Sequence, residues 1–135
     1  MLKQLNLTDL VGAVKTRLEG NTQLSIHDVP PTNQPAPLVY IEVVGVEPRD
    51  SKTMYLKNYT LWLHVIADEV VSSVPIYNNI QEVQEAMTED IALPTGFELV
   101  LQSDDGIQTI KTDESGEKHA VLAYSFLVCF GYKLK

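Results

Sequence analysis

Residues that usually carry chemistry are sparse in this chain. It has one cysteine, Cys129, so no disulfide forms within it and nothing points to an oxidising compartment. Cys129 lies in an apolar stretch and reads as a small core residue, not as an activated thiol at a helix N-terminus. The three histidines, His27, His64 and His119, form no HxxxH or HExxH pair, which leaves zinc without a recognisable ligand set. A GxSxG elbow, a GxGxxG turn and a GK[ST] phosphate loop are all missing. These gaps remove the usual routes to nucleophilic, metal-assisted and nucleotide-dependent catalysis. The chain therefore reads as a non-enzyme, with no catalytic residue, cofactor or metal expected.

Positive charge is also scarce. Ten basic side chains against eighteen acidic ones give a net charge of −8, which opposes unaided binding to nucleic acid and favours a basic partner surface. The N-terminal stretch MLKQLNLTDLVGAVKTRLEG lacks a continuous apolar h-region and a small-residue cleavage site, and no apolar run approaches a membrane span. Synthesis in the cytoplasm and no membrane partner are expected. The sequons at Asn6 and Asn58 then count as chance matches.

What is present is an ordinary globular composition, 44% hydrophobic and 21% charged over 135 residues. That is enough chain for one domain, residues 1–135, with one core. Thr8 reads as an N-cap, and Leu10, Val11, Val14 and Leu18 recur at helical spacing until Gly20. A short strand is expected over Gln23 to Ile26. PPTNQPAP, residues 30–37, has four prolines and cannot join a regular ladder, so it reads as an extended arm. Leu38 to Val46 and Tyr55 to Asp68 read as long strands around a polar loop, EPRDSKTM, at 47–54. Ser72 or Ser73 caps a second helix, with Pro75 in its first turn. Ile76, Ile80, Val83, Met87 and Ile91 form its apolar stripe, and Pro94 and Gly96 end it. Strands from Phe97 and from Ile107 are expected to flank a turn at Asp105-Gly106. The order predicts an α+β domain, a mainly antiparallel sheet packed by two principal helices.

The last strand, KHAVLAYSFLVCFGYK, is the most telling segment. Sixteen extended residues span roughly 50 Å, whereas a compact domain of this length is only about 37 Å across. It must bend or protrude, and Gly131 is the natural site for a bulge. Ala120, Leu122, Tyr124, Phe126, Val128, Phe130 and Tyr132 alternate onto one face. Val121, Ala123, Ser125, Leu127 and Cys129 take the other and are still mostly apolar. A second face of that kind needs a cover, either from the other helix or the Pro-rich arm of the same chain, or from a neighbouring subunit.

Charged groups supply the remaining candidates. Glu82, Glu85, Glu89 and Asp90 gather toward the end of the second helix, either as a solvated face or as a patch for a partner's bases. Arg49, Asp50 and Lys52 lie on the loop between the long strands, which reads either as a plain hairpin loop or as a mobile segment reaching a neighbour's acids. Asp104, Asp105, Asp113, Glu114 and Glu117 fall on two loops that a hairpin could bring together, but their order matches no calcium loop.

The succession LVYIEVVGVEPRDSK, YTLWLHVIAD, PIYNNIQEVQEAM, GFELVLQSDDG and KHAVLAYSFLV resembles the tail terminator and tail completion proteins of long-tailed bacteriophages, over about residues 5 to 132. The resemblance implies an α+β subunit of a ring, a hexamer, that caps the tail tube and docks to the head connector. Its partners would be itself, the tube protein and the connector, with DNA only passing through the lumen. It would act in the host bacterial cytoplasm during assembly and then at the head–tail junction of the virion. The loops 47–54 and 103–117 would correspond to the family's two mobile loops and face those partners. Charge alone fits a second reading equally well: a stand-alone acidic protein of the immunity or inhibitor type that masks a basic enzyme surface.

Overall fold

The computed structural model describes residues 1–30, 36–68, 72–112 and 116–133. Most of the Pro-rich arm, and the acids Asp113 and Glu114, therefore lie outside the described residues. Within them the order is α1 (Leu7–Asn21), β1 (Ser25–His27), β2 (Leu38–Pro48), β3 (Met54–Ala67), α2 (Val74–Ala86), β4 (Glu98–Thr112) and β5 (Lys118–Tyr132). The strands form one sheet in the order β1-β2-β3-β5-β4. Only the β1–β2 pair is parallel. The α+β architecture with a mainly antiparallel sheet and two helices is as the sequence predicts.

Helix α1 begins one turn signal earlier than expected. Asn6, not Thr8, is the N-cap, and its side chain accepts the Thr8 amide at 2.8 Å. Extended backbone at Asn6 leaves its carboxamide free to reach back over the first turn. The helix also continues past Gly20 and closes at Thr22, whose amide and hydroxyl both donate to the Leu18 carbonyl. Leu10, Val14 and Leu18 are fully buried, each worth on the order of 2 kcal/mol of removed apolar surface.

In α2, Pro75 occupies the first turn as expected. The Ser72 hydroxyl accepts the Val74 amide, whereas Ser73, at the cap position, makes no side-chain cap bond. The helix stops at Ala86 and does not run on to Pro94. Gln102 of β4 explains how the chain turns there. Its amide nitrogen donates to the carbonyls of Met87 (3.0 Å) and Glu89 (2.9 Å), and its oxygen accepts the Ile91 amide (2.9 Å). Met87 and Ile91 still bury their side chains, so their apolar spacing reports packing beyond the helical turns.

The largest departure is at Asp105-Gly106. No reversal occurs there, and β4 is one strand of 15 residues. Gly106 has φ +93 and its amide donates to the Asp104 carboxylate at 2.8 Å. Asp104 pairs with Tyr124 and Gly106 with Ala123, leaving Asp105 as the extra residue of a bulge. An Asp-Gly pair serves a glycine bulge as well as it serves a hairpin turn, and the long β5 strand offers a continuous partner. Two further bulges on β4, at Val100 and Gln108, follow from the same register shifts. Asp104 and Asp105 thus stand mid-strand, and the loop expected over 103–117 contracts to the link between β4 and β5.

Strand β5 bends where predicted. Leu56 pairs with Cys129 and Tyr55 with Gly131, so Phe130 is bulged beside Gly131. A methyl at Gly131 would meet the Leu2 side chain at 2.9 Å. The bulge also changes the alternation of faces. Tyr132 pairs with Met54 and its hydroxyl donates to Glu98, which places it beside Cys129 and not in the core stripe where simple alternation puts it.

Both helices lie on the same face of the sheet. Leu10, Val14, Leu18, Ile76, Ile80 and Val83 share one cluster with Tyr59, Leu61, Leu63, Ala120, Leu122 and Phe126. Val121, Ala123 and Cys129 are buried but outside that cluster. Among the described residues no helix covers the second face.

Candidate assembly interface

The uncovered face of the sheet protects its small residues sideways, with side chains from neighbouring strands. Val121 pairs with His64, Ala123 with Trp62, and Ser125 with Thr60. His64 is the one polar residue buried below a tenth of its surface among the described residues. Its Nε2 lies 2.7 Å from Glu42 Oε1 and its Nδ1 3.0 Å from His119 Nε2. The Tyr40 ring stacks on the imidazole, centroids 4.3 Å apart and 6° from parallel, and Trp62 meets it edge-on. Because one ring nitrogen faces a carboxylate and the other faces a second imidazole, His64 has no lone pair left for a metal. Among the described residues no three His, Cys, Asp or Glu side chains gather so as to hold a metal ion.

The same face continues toward the β2–β3 hairpin as a shallow concavity of about 450 Å³, lined by Arg49, Asn58, Leu101, Asp105, Ser125 and Leu127 among others. The Ser125 hydroxyl donates to the Asp105 carboxylate across it. Leu127 is half-buried here and Leu101 is exposed. On the core side, Tyr124 buries a hydroxyl with no hydrogen-bond partner among the described residues. Burial first, and then the nearby Asp104 carboxylate, push its phenol well above the ordinary tyrosine range.

The hairpin loop is shorter than the 47–54 loop of the sequence reading. Glu47 and Pro48 belong to β2 and Met54 to β3, leaving Arg49 to Thr53 as a tip. The tip is tied at several points. The Asp50 carboxylate accepts the Leu56 amide at 2.9 Å, the Arg49 amide donates to the Leu56 carbonyl, and Lys133 donates its amide to Thr53. Arg49 also pairs with Glu47 at 2.8 Å, although both side chains remain more than half exposed. Such an exposed pair is worth well under about 1 kcal/mol, so Arg49 remains open to another partner.

The remaining charged candidates do not converge on one point. Glu82 accepts the Gln23 amide at 3.1 Å, and Glu85 accepts from Gln81 at 3.5 Å. Glu89 pairs with Arg17 at 3.0 Å, whose other nitrogen donates to the Asp90 carbonyl. Asp104 and Asp105 hold the β4 bulge and Ser125. One signal in the sequence links these groups: no lysine or arginine occurs between Lys57 and Lys111, a span that holds nine of the eighteen acids. Helix α2 and β4 both come from that span, so they carry acids without bases up to Lys111. The Glu42–His64–His119 chain was also missed, although strand alternation alone sets Tyr40, Glu42 and His64 away from the helices.

Comparison with known proteins agrees with this architecture. Residues 1–135 match a phage tail terminator family described as "Putative tail termination protein". No curated protein matches the chain. The fold is similar to that of a chain solved in "Virion of native gene transfer agent (GTA) particle", with a TM-score of 0.71 and 18% identity, over 91% of this chain and 96% of that one. The chain therefore belongs to the phage tail terminator family, structural proteins of the bacteriophage tail.

Proposed function

We propose that copies of this chain sit side by side in a ring, a hexamer, that caps the tail tube and joins it to the head connector. The observation that carries the reading is the one-sided subunit: both helices bury one sheet face, while long strands and a braced hairpin tip remain for neighbours. An acidic wall suits a channel through which DNA must pass without being gripped. In this reading the protein acts in the bacterial cytoplasm during assembly and stays at the head–tail junction. Arg49, Asp50 and Lys52 at the tip, Glu82, Glu85 and Glu89 on α2, and Asp104 and Asp105 on β4 make contacts with ring neighbours, tube or connector.

The test is genetic and visual. Particles made without the chain should yield heads and unjoined tails, and supplying it should restore joined particles with a small ring at the tube end. A chain that stays monomeric, binds one basic enzyme at one to one and leaves tail joining unaffected would instead fit an inhibitor of the immunity type.

A further inference from the structure

Among the described residues the sheet has two open edges. At one side β1 pairs with β2 only at Leu38, Val39 and Tyr40, and no other described strand pairs with the outer side of β2 from Ile41 to Pro48. At the other side β4 is the outermost strand over its whole length. Both edges expose large apolar side chains. Val44 and Val46 stand on β2; Val100, Leu101, Ile107 and Ile110 stand on β4. An uncovered strand with apolar side chains is a template for another strand.

Strand direction and charge then select the occupant. The β2 strand is antiparallel to β3, β3 to β5 and β5 to β4, so β2 and β4 run in opposite senses. Repeating the subunit head to tail sets β4 of one copy beside β2 of the next in antiparallel orientation, the more stable kind of ladder. The two edges also share rows across the sheet. Glu47 pairs with Asn58, Asn58 with Leu127, and Leu127 with Leu101. A two-fold pairing of β4 with a second β4 runs antiparallel and, centred on the strand, would set Asp104 and Asp105 beside the same acids of the other copy, with like-charge repulsion. The β2 edge carries acids of its own, Glu42 and Glu47, but it ends in Arg49 and Lys52 at the hairpin tip, beside Asp50, at the same end of the sheet as Glu98.

We propose that neighbouring copies join by adding β2 of one to β4 of the next, with the Arg49 and Lys52 hairpin set against Glu98 at the start of β4. The contact is heterologous, so it repeats around a ring and does not stop at a dimer. It rests on the ring reading above and names the surface that builds the ring.

Disulfide trapping tests it. Glu47→Cys is combined in turn with Leu101→Cys, Ser103→Cys and Thr109→Cys, which sample the same face at different stagger, and Cys129 is left in place because its thiol is buried. Mild oxidation of assembled tails, and of concentrated purified protein, should give a ladder beyond dimers for at least one pair, while Glu47→Cys alone gives dimers at most. Absence of a ladder for all three pairs in both samples, or a ladder ending at dimers, overturns the edge contact. Rings seen at tube ends without a ladder would leave the functional reading standing. A ladder from a chain whose loss does not affect tail joining would remove that reading and keep the contact.

Discussion

The Asp104 carboxylate accepts the Gly106 amide at 2.8 Å, and this contact marks the point where β4 bulges and continues where a turn was expected. Gly106 is at φ +93, a conformation that a β-branched residue resists. Gly106→Val should cost about 2 kcal/mol and lower the melting temperature by several degrees, measured by circular dichroism. Asp104→Ala should cost about 1 kcal/mol, and a melting temperature unchanged in both variants would mean that the bulge is not under this control.

Gln102 is the one side chain that satisfies three backbone groups of the 87–91 turn. Gln102→Leu keeps its size and leaves those groups without partners, so a loss of about 2 to 3 kcal/mol is expected. Denaturant unfolding followed by tryptophan fluorescence measures it. Gln102→Glu should recover the Ile91 contact only, and so fall between the two.

The Tyr124 hydroxyl is buried without a partner. Tyr124→Phe should leave stability unchanged or raise it by up to about 1 kcal/mol. Its effect on pH dependence has a definite sign. The folded protein holds this phenol protonated above its ordinary range, so once the pH passes about 10 the unfolded chain binds fewer protons and stability falls. Stability is therefore full below that pH and is lost above it, and Tyr124→Phe should flatten the loss. Tyr40 and Tyr59 are raised in the same direction, both first by burial, so the slope should be reduced rather than abolished.

At the hairpin, Arg49→Glu with Lys52→Glu reverses two exposed charges without touching the Asp50 bonds that brace the tip. Joined particles should fall by at least tenfold in a complementation assay while the melting temperature shifts by less than about 2 °C. Glu82→Lys with Glu85→Lys is the matching change on α2. Unfolding of either double variant would assign those residues to stability alone.

Much of the scaffold was legible from periodicity. Alternation in β3 separated Tyr59, Leu61, Leu63 and Val65 from Trp62 and His64 correctly, and the stripe from Ile76 to Val83 found α2. Where the reading failed, local signals had two physical outcomes. Asp105-Gly106 encodes a bulge or a turn, and only the length of the partner strand decides between them. Likewise Met87 and Ile91 continue an apolar spacing that a side chain on a distant strand, Gln102, redirects. The interface was less legible because strand order is non-local. Nothing near Leu101 in the sequence says that β4 is an edge, or that Glu47 shares its row. The stretch from Lys57 to Lys111 without a base was readable, but its placement on one helix and one edge strand came from the fold.

The most direct measurement of the central claim is cryo-electron microscopy of the head–tail junction in particles assembled with this chain. The account predicts a ring between tube and connector, with copies fitted as the α+β subunit described here and joined by β4 against β2 of the next. Density for the chain elsewhere in the particle, or none at the junction of joined particles, would contradict it.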